Sequence, residues 1–171
     1  MPRIFNGMSI EIERKFLVSS TEFKTEYYKK TFIKQGFLNS NKYRVVRVRV
    51  VDNIGYITVK GKSYDSGTSR FEWEKELPKS EAEQLLLLCE TEPIEKIRYL
   101  VKNENHIIEI DEFLGDNKGL YIAEIELNTK DENFKSPQWL GKEVTGKKKY
   151  YNAKLSKHPY KTWKRKPQNK N

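Results

Sequence analysis

Charged residues recur at every second position in several segments of this 171-residue sequence. Carboxylates suit a hard divalent cation such as Mg²⁺ or Mn²⁺, whereas Lys and Arg suit phosphate oxygens. Acids grouped with bases therefore predict a site for both a metal ion and a polyphosphate. The acids are Glu11, Glu13, Glu72, Glu74, Asp111, Glu124 and Glu126, and the bases are Lys15, Arg47, Arg49, Lys60, Arg70, Lys96 and Arg98.

Alternation of apolar and charged residues also predicts the elements that carry these side chains. Successive side chains of a β-strand point to opposite faces, so charges spaced by two share one face. Arg47 and Arg49 alternate with Val46, Val48 and Val50 in this way. The pattern predicts about eight strands, near residues 9–18, 31–38, 43–51, 55–61, 69–77, 95–102, 106–113 and 120–128. Short helices are predicted near residues 21–30, 80–90 and 147–156.

Two architectures can accommodate the charged faces. One is a sheet packed on helices with its charged face in solvent, which would account for any single strand. The other is a closed barrel with a charged interior and an apolar outer face. Three short helices, the best of them starting at a capping box of Ser80 and Glu83, cannot cover eight strands. We therefore predict an α+β fold of mostly antiparallel strands, an eight-stranded closed β-barrel with a few flanking helices.

Length and composition indicate the number of domains, the cellular compartment and the class of partner. The length fits one domain, predicted over residues 1–171 with a core at about 8–159 and a basic, flexible tail at 160–171. The net charge of +9 favours anionic partners. The single cysteine, Cys89, excludes a disulfide framework and is expected to be a buried structural thiol. No apolar stretch approaches ~20 residues, so we expect a cytoplasmic protein with no membrane partner.

Several charged motifs follow one another in a fixed order along the chain. The first is Glu-Ile-Glu-Arg-Lys at residues 11–15, and the later ones include Gln35-Gly36-Phe37-Leu38, Val46-Arg47-Val48-Arg49, Thr58-Val59-Lys60, Arg70-Phe71-Glu72-Trp73-Glu74, Glu95-Lys96-Ile97-Arg98, Ile110-Asp111 and Ala123-Glu124-Ile125-Glu126. In this order they resemble the CYTH domain of triphosphate tunnel metalloenzymes, especially its small bacterial members, from about residue 8 to about 159. The sequence differs from the motifs of this family at Phe37, where many small members have Tyr.

The resemblance implies an eight-stranded tunnel in which water attacks a triphosphate bound with Mg²⁺ or Mn²⁺. The implied catalytic residues are Glu11, Glu13, Lys15 and Asp111. The implied metal ligands are Glu11, Glu13, Glu124 and Glu126, assisted by Glu72, Glu74 and Asp111. The implied phosphate-binding residues are Lys15, Arg47, Arg49, Lys60, Lys96 and Arg98.

The sequence is compatible with several triphosphate substrates. We expect hydrolysis of inorganic tripolyphosphate, with nucleoside triphosphates, thiamine triphosphate or cyclisation of ATP to cAMP as alternatives. A non-catalytic binder of polyphosphate or nucleic acid is another alternative, although acids between the bases disfavour nucleic acid. The expected partner is a small-molecule triphosphate, and the protein would be a monomer or a homodimer. A surface role is predicted for His106 and His158, and a core position for Trp73.

Overall fold

Antiparallel strands dominate the computed structural model, which describes residues 12–64 and 69–163, excluding the side chains of residues 63, 64, 69 and 70. The strands are β1 (Ile12–Val18), β2 (Lys29–Asn39), β3 (Arg44–Val51), β4 (Ile54–Tyr64), β5 (Ser69–Pro78), β6 (Ile94–Asn103), β7 (His106–Phe113), β8 (Tyr121–Leu127) and β9 (Leu140–Glu143). The helices are α1 (Lys79–Leu86) and α2 (Asn152–Lys157), with 3-10 turns at Glu22–Thr25, Gly115–Asn117, Lys148–Tyr150 and Tyr160–Thr162. The predicted fold class is confirmed.

All described strands belong to one sheet, in the order β5-β4-β3-β2-β6-β7-β8-β1-β9. Eight of them are the predicted strands. The ninth, β9, was missed because four residues are too short to display alternation. Within the described ranges β5 and β9 do not pair, so the predicted closure is not completed by a hydrogen-bonded ladder. The register of β9 against β1 already shifts between Phe16 and Val18, which interrupts the ladder at that edge.

Of the three apolar clusters among the described residues, two lie on the outer face of the sheet, and one, around Phe113, Ile122 and Leu155, lies on the inner face beside Lys96 and Asp111. One cluster, around Phe16, Phe23 and Trp139, packs outside β1, β6, β7 and β8. Another joins Val48 and Val50 of β3 to Ala82 of α1. Helix α1 approaches β4 so closely that a Cβ atom at Gly55 would lie 2.5 Å from the Ala82 Cβ. Burial of this apolar surface by helices and loops offsets the free-energy cost of a charged interior.

The helical segments differ from the sequence predictions. Helix α1 begins at Lys79, Pro78 occupies its N-cap, and no side-chain capping bond forms, so the predicted capping box is wrong. Proline sets the extended backbone at the helix start without a Ser80 cap. The segment predicted as a helix at 21–30 contains only a 3-10 turn. Among the described residues no helix is long and apolar enough to cross a membrane.

Two predicted burial states also change. Trp73 is 47% exposed rather than in the core, because it lies on the outer face of the edge strand β5. Cys89 is only partly buried. Within the segment predicted as a tail, Tyr160–Thr162 forms a 3-10 turn, and Trp163 after it contacts the Tyr150 ring at a centroid distance of 5.4 Å.

Candidate active site

A cavity of about 840 Å³ is enclosed by the inner faces of the strands and by α2. Eleven predicted site residues line it: Glu13, Lys15, Arg47, Arg49, Lys60, Glu72, Glu74, Lys96, Arg98, Glu124 and Glu126. Glu11 lies outside the described residues, and the side chain of Arg70 is not described. Asp111 is buried behind the cavity wall. The period-two pattern therefore identified one shared interior surface.

Two arginines of β3 form the most strongly cationic part of the wall. Arg47 donates to Thr58 Oγ1 at 3.3 Å and lies 3.7 Å from Glu74, which is also 3.5 Å from Arg49. One carboxylate thus serves two guanidinium groups. Burial, together with repulsion from Arg49, lowers the pKa of Arg47 to about 10. The buried Nε atoms of both arginines have no hydrogen-bond partner among the described residues.

The next strand along the sheet adds a more accessible ion pair. Lys60 Nζ of β4 lies 3.3 Å from Glu72 Oε2 of β5, and both side chains remain about a quarter exposed. Such a pair contributes little to stability, because water screens it. Its lysine can therefore exchange the carboxylate for a phosphate oxygen at low cost.

Asp111 of β7 organises the bases of β6. Its Oδ2 accepts from Lys96 Nζ at 2.7 Å, and Arg98 binds both of its oxygens at 2.7 and 2.9 Å. Burial alone would favour the neutral acid, but Lys96 and Arg98 outweigh it and hold the pKa of Asp111 well below its usual value. Both carboxylate oxygens are occupied by these contacts. The structure therefore places Asp111 as a partner of two phosphate-binding candidates.

The acidic part of the site lies on β1, β7 and β8. Lys15 Nζ is 2.9 Å from Glu124 and 3.9 Å from Glu13. Burial and the neighbouring Glu124 raise the pKa of Glu13 to about 7. A second cavity of about 400 Å³ shares Glu13, Glu109, Glu124 and Glu126 with the first and extends to His106. The glutamates thus line both spaces.

Helix α2 and the turn before it supply residues that the strand pattern could not identify. The Lys15 ammonium lies 5.2 Å from the centroid of the Tyr151 ring, and Asn152 Oδ1 accepts from Lys96 Nζ at 3.2 Å. Lys148 and Lys154 also line the cavity. No alternation marks this segment, because it is helical and reaches the site only through tertiary packing.

Further residues of the cavity lining come from β2 and from Glu109 of β7. Glu109 lines the cavity and lies 2.8 Å from Arg98. Gln35, Phe37 and Ser40 line the cavity from β2 and the turn after it. The charge pattern did not predict Gln35 as a site residue, because its side chain is neutral.

The acidic residues have the chemistry that a hard cation needs. A carboxylate whose pKa is raised by another carboxylate holds a proton that a divalent cation can replace. Glu13 beside Glu124 is such a case. Within residues 12–64 and 69–163 no three acidic, His or Cys side chains converge into a preformed metal site. The donor set therefore fits a hard divalent cation by its chemistry.

Known proteins resemble this chain along most of its length. The sequence model of the CYTH domain matches residues 9–159. The inorganic triphosphatase of Acetivibrio thermocellus is 48% identical over 158 residues, which cover 92% of this chain and 99% of that protein. The inorganic triphosphatase of Nitrosomonas europaea is 32% identical over 150 residues, covering 85% and 96%. The crystal structure of the inorganic triphosphatase NE1496 is 29% identical, with a TM-score of 0.66, and covers 88% of this chain and 97% of that chain.

Proposed function

The chain belongs to the CYTH domain family, and on this premise we propose that it hydrolyses inorganic triphosphate inside the charged cavity with Mg²⁺ or Mn²⁺. Two relatives that match more than four-fifths of the chain are inorganic triphosphatases. Proteins of this similarity and coverage share their fold, and the side chains in the cavity carry the argument for the reaction.

One observation supports the substrate class most directly. Arg47 and Arg49 face the cavity side by side, share the Glu74 carboxylate and keep buried Nε atoms without partners in the described part of the chain. A buried cation without enough counter-charge is costly unless a ligand supplies the missing anion. A row of phosphate groups provides oxygens that can accept from both guanidinium groups.

Bases from four different strands can contact such a row along its length. They are Lys15 on β1, Arg47 and Arg49 on β3, Lys60 on β4, and Lys96 and Arg98 on β6. Because Asp111 anchors Lys96 and Arg98, these two cations are oriented before substrate arrives. Preoriented charges stabilise the negative charge that develops on a transferred phosphoryl group without having to reorganise during the reaction.

The glutamates provide the complementary half of the site. Glu13, Glu124 and Glu126, with Glu11 as a further candidate, would hold the cation, and Glu72 and Glu74 would assist from β5. A bound divalent cation neutralises phosphate charge and orients phosphate oxygens. Lys15 stays protonated beside Glu124, because its attraction to Glu124 and Glu13 outweighs burial and raises its pKa. No Cys or His is among the described residues that line the larger cavity, which favours attack by water.

A panel of metals and substrates tests this function. Purified protein would be incubated with Mg²⁺ or Mn²⁺ and with tripolyphosphate, ATP, GTP or thiamine triphosphate, and phosphate, pyrophosphate and cAMP would be separated chromatographically. We expect phosphate and pyrophosphate from tripolyphosphate, and loss of this activity in EDTA. Formation of cAMP from ATP would favour the cyclase alternative. Tight binding of polyphosphate or RNA without turnover of any triphosphate would contradict the proposal.

A matched pair of lysine variants ties the activity to the cavity. Lys60→Ala removes a cavity lysine paired with Glu72 at 3.3 Å and should nearly abolish hydrolysis. Lys34→Ala removes a lysine that pairs with Glu95 at 3.6 Å outside the cavity and should leave it unchanged. Equal activities of the two variants would argue against the cavity as the active site. Cytoplasmic location and a monomeric or homodimeric state stay predictions.

A further inference from the structure

Gln35 is a buried polar residue that the proposed mechanism has not used. It lies on the inner face of β2, is 3% exposed and lines the larger cavity. None of the described residues forms a hydrogen bond with its side-chain amide, whereas the other buried polar residues near the site, such as Lys96 and Asp111, are bonded. Among the described residues, the buried polar atoms without partners do not include the Gln35 amide, so this amide opens onto the cavity, where a ligand can contact it.

The surroundings of Gln35 narrow the kind of partner it lacks. Its sheet neighbours are Arg49 on β3 and Ile94 on β6, and Ile33 and Phe37 flank it on the same face of β2. Three of these neighbours are apolar and offer no hydrogen bond. The fourth, Arg49, has a buried Nε that also lacks a partner among the described residues. An amide that opens onto the cavity and a guanidinium whose Nε lacks a partner among the described residues therefore lie next to each other at the cavity wall.

We propose that Gln35 is a substrate-binding residue whose side-chain amide donates a hydrogen bond to a phosphate oxygen beside Arg49. The inference rests on the proposed triphosphatase function and adds a neutral contact to a site otherwise built from charges. An ionised phosphate oxygen accepts hydrogen bonds and donates none, so the amide nitrogen faces the ligand. Arg49 supplies charge, and Gln35 supplies a donor of fixed direction, which places the phosphate group relative to β2.

Kinetics of three variants test the assignment. Gln35→Leu keeps the approximate side-chain volume and removes the hydrogen-bond donor. Gln35→Glu keeps the side-chain shape and replaces the donor by a carboxylate. Gln84→Leu, which changes an exposed glutamine of α1, is the control. We expect Gln35→Leu to raise KM for tripolyphosphate about tenfold, the loss typical of a hydrogen bond to a charged group. Gln35→Glu should raise KM further, because its carboxylate repels phosphate and pairs with Arg49. Gln84→Leu should match the wild type.

Melting temperatures without metal and substrate separate binding from a structural role. Gln35→Leu should melt no lower than the wild type, because the Gln35 amide forms no hydrogen bond with the described residues, and Gln35→Glu should melt higher through its pair with Arg49. Unchanged KM in both Gln35 variants would overturn the proposal, as would a KM rise in Gln35→Leu accompanied by a lower melting temperature. A wild-type protein that does not hydrolyse tripolyphosphate would instead refute the proposed function.

Discussion

Lys96 Nζ lies 2.7 Å from Asp111 Oδ2, and the two side chains are only 2% and 3% exposed. The same carboxylate receives a two-point contact from Arg98. One buried acid on β7 thus orients two cavity cations on β6, Arg98 directly opposite it and Lys96 two residues along the same strand. Ion pairs this deep are costly to break, since each partner loses its solvation on folding. The wall that presents these bases is consequently rigid.

Replacing Asp111 by Asn should destabilise the protein strongly. The variant keeps the shape but leaves Lys96 and Arg98 buried without a counter-charge close by, and such losses typically cost about 3–5 kcal/mol. Urea unfolding at pH 7 measures the effect. Asp116→Asn is the matched control, because its pair with Lys161 is exposed and should change stability by less than about 0.5 kcal/mol. Similar losses in both variants would contradict the argument.

The pH dependence of the Asp111→Asn variant provides an independent check. The pKa of Asp111 in the folded protein is lowered from its ordinary value of 3.8, so its stabilising contribution is present above that value. The contribution is lost as the pH falls through 3.8 towards the lower pKa of the folded state. The stability gap between wild type and variant should therefore be constant at pH 5–8 and shrink near pH 3. A gap that widened in acid would be inconsistent with an ionised Asp111.

Glu13→Gln should make the metal-free protein more stable at alkaline pH while abolishing hydrolysis. The folded-state pKa of Glu13 is raised from 4.5 to about 7, so the wild type loses stability as the pH rises through this interval. Glutamine mimics the protonated acid and avoids that loss. Thermal melts in EDTA at pH 5 and pH 8.5 should show an advantage of the variant that grows with pH. Glu83→Gln, an exposed change on α1, should show no such trend.

Metal added to the same samples should stabilise the wild type more than the Glu13→Gln variant. A divalent cation stabilises only the state that binds it, and Glu13→Gln removes one of its carboxylate candidates. Mg²⁺ or Mn²⁺ should therefore raise the melting temperature of the wild type at pH 8.5 more than that of the variant. Equal metal-induced shifts would remove Glu13 from the set of metal ligands.

Asn152→Ala should weaken substrate binding more than it weakens the fold. The variant removes the second hydrogen bond of Lys96, at 3.2 Å, while Asp111 still binds its ammonium group. We expect kcat/KM for tripolyphosphate to fall several-fold and the free energy of unfolding to fall by about 1 kcal/mol. Asn133→Ala, at an exposed position, is the control. Full activity of Asn152→Ala would show that α2 does not position Lys96.

Arg47→Met should gain stability and lose activity. The change removes a buried guanidinium whose pKa is lowered by burial and by Arg49, and Glu74 keeps its contacts with Thr58 and Arg49. We expect the substrate-free protein to gain about 1 kcal/mol in unfolding free energy, as is common when a functional charge is removed. Hydrolysis of tripolyphosphate should fall sharply. Arg44→Met, at an exposed position at the start of β3, should change neither quantity appreciably.

Much of the strand architecture could be read from local sequence. Arg47 and Arg49, or Glu124 and Glu126, share a face because the side-chain period of a strand is two, whatever the strand packs against. That rule predicted eight strands of the sheet and the shared face of the charged side chains that line the cavity, whereas their inward direction was predicted from the shortage of helices to cover eight strands. It could not predict β9, which is too short to show the period, or the outward exposure of Trp73 on an edge strand.

The sequence by itself determined which side chains lie on the same face, since that depends only on neighbours along one strand. The tertiary structure decided which of them meet. Asn152 reaches Lys96 across 56 positions of the chain, and Gln35 lies beside Arg49 only through the register of β2 against β3. Strand register and helix docking come from packing of the apolar clusters on both faces of the sheet, so no local pattern encodes these contacts. The partners of Asp111, and the lack of one for the Gln35 amide among the described residues, are consequences of that packing.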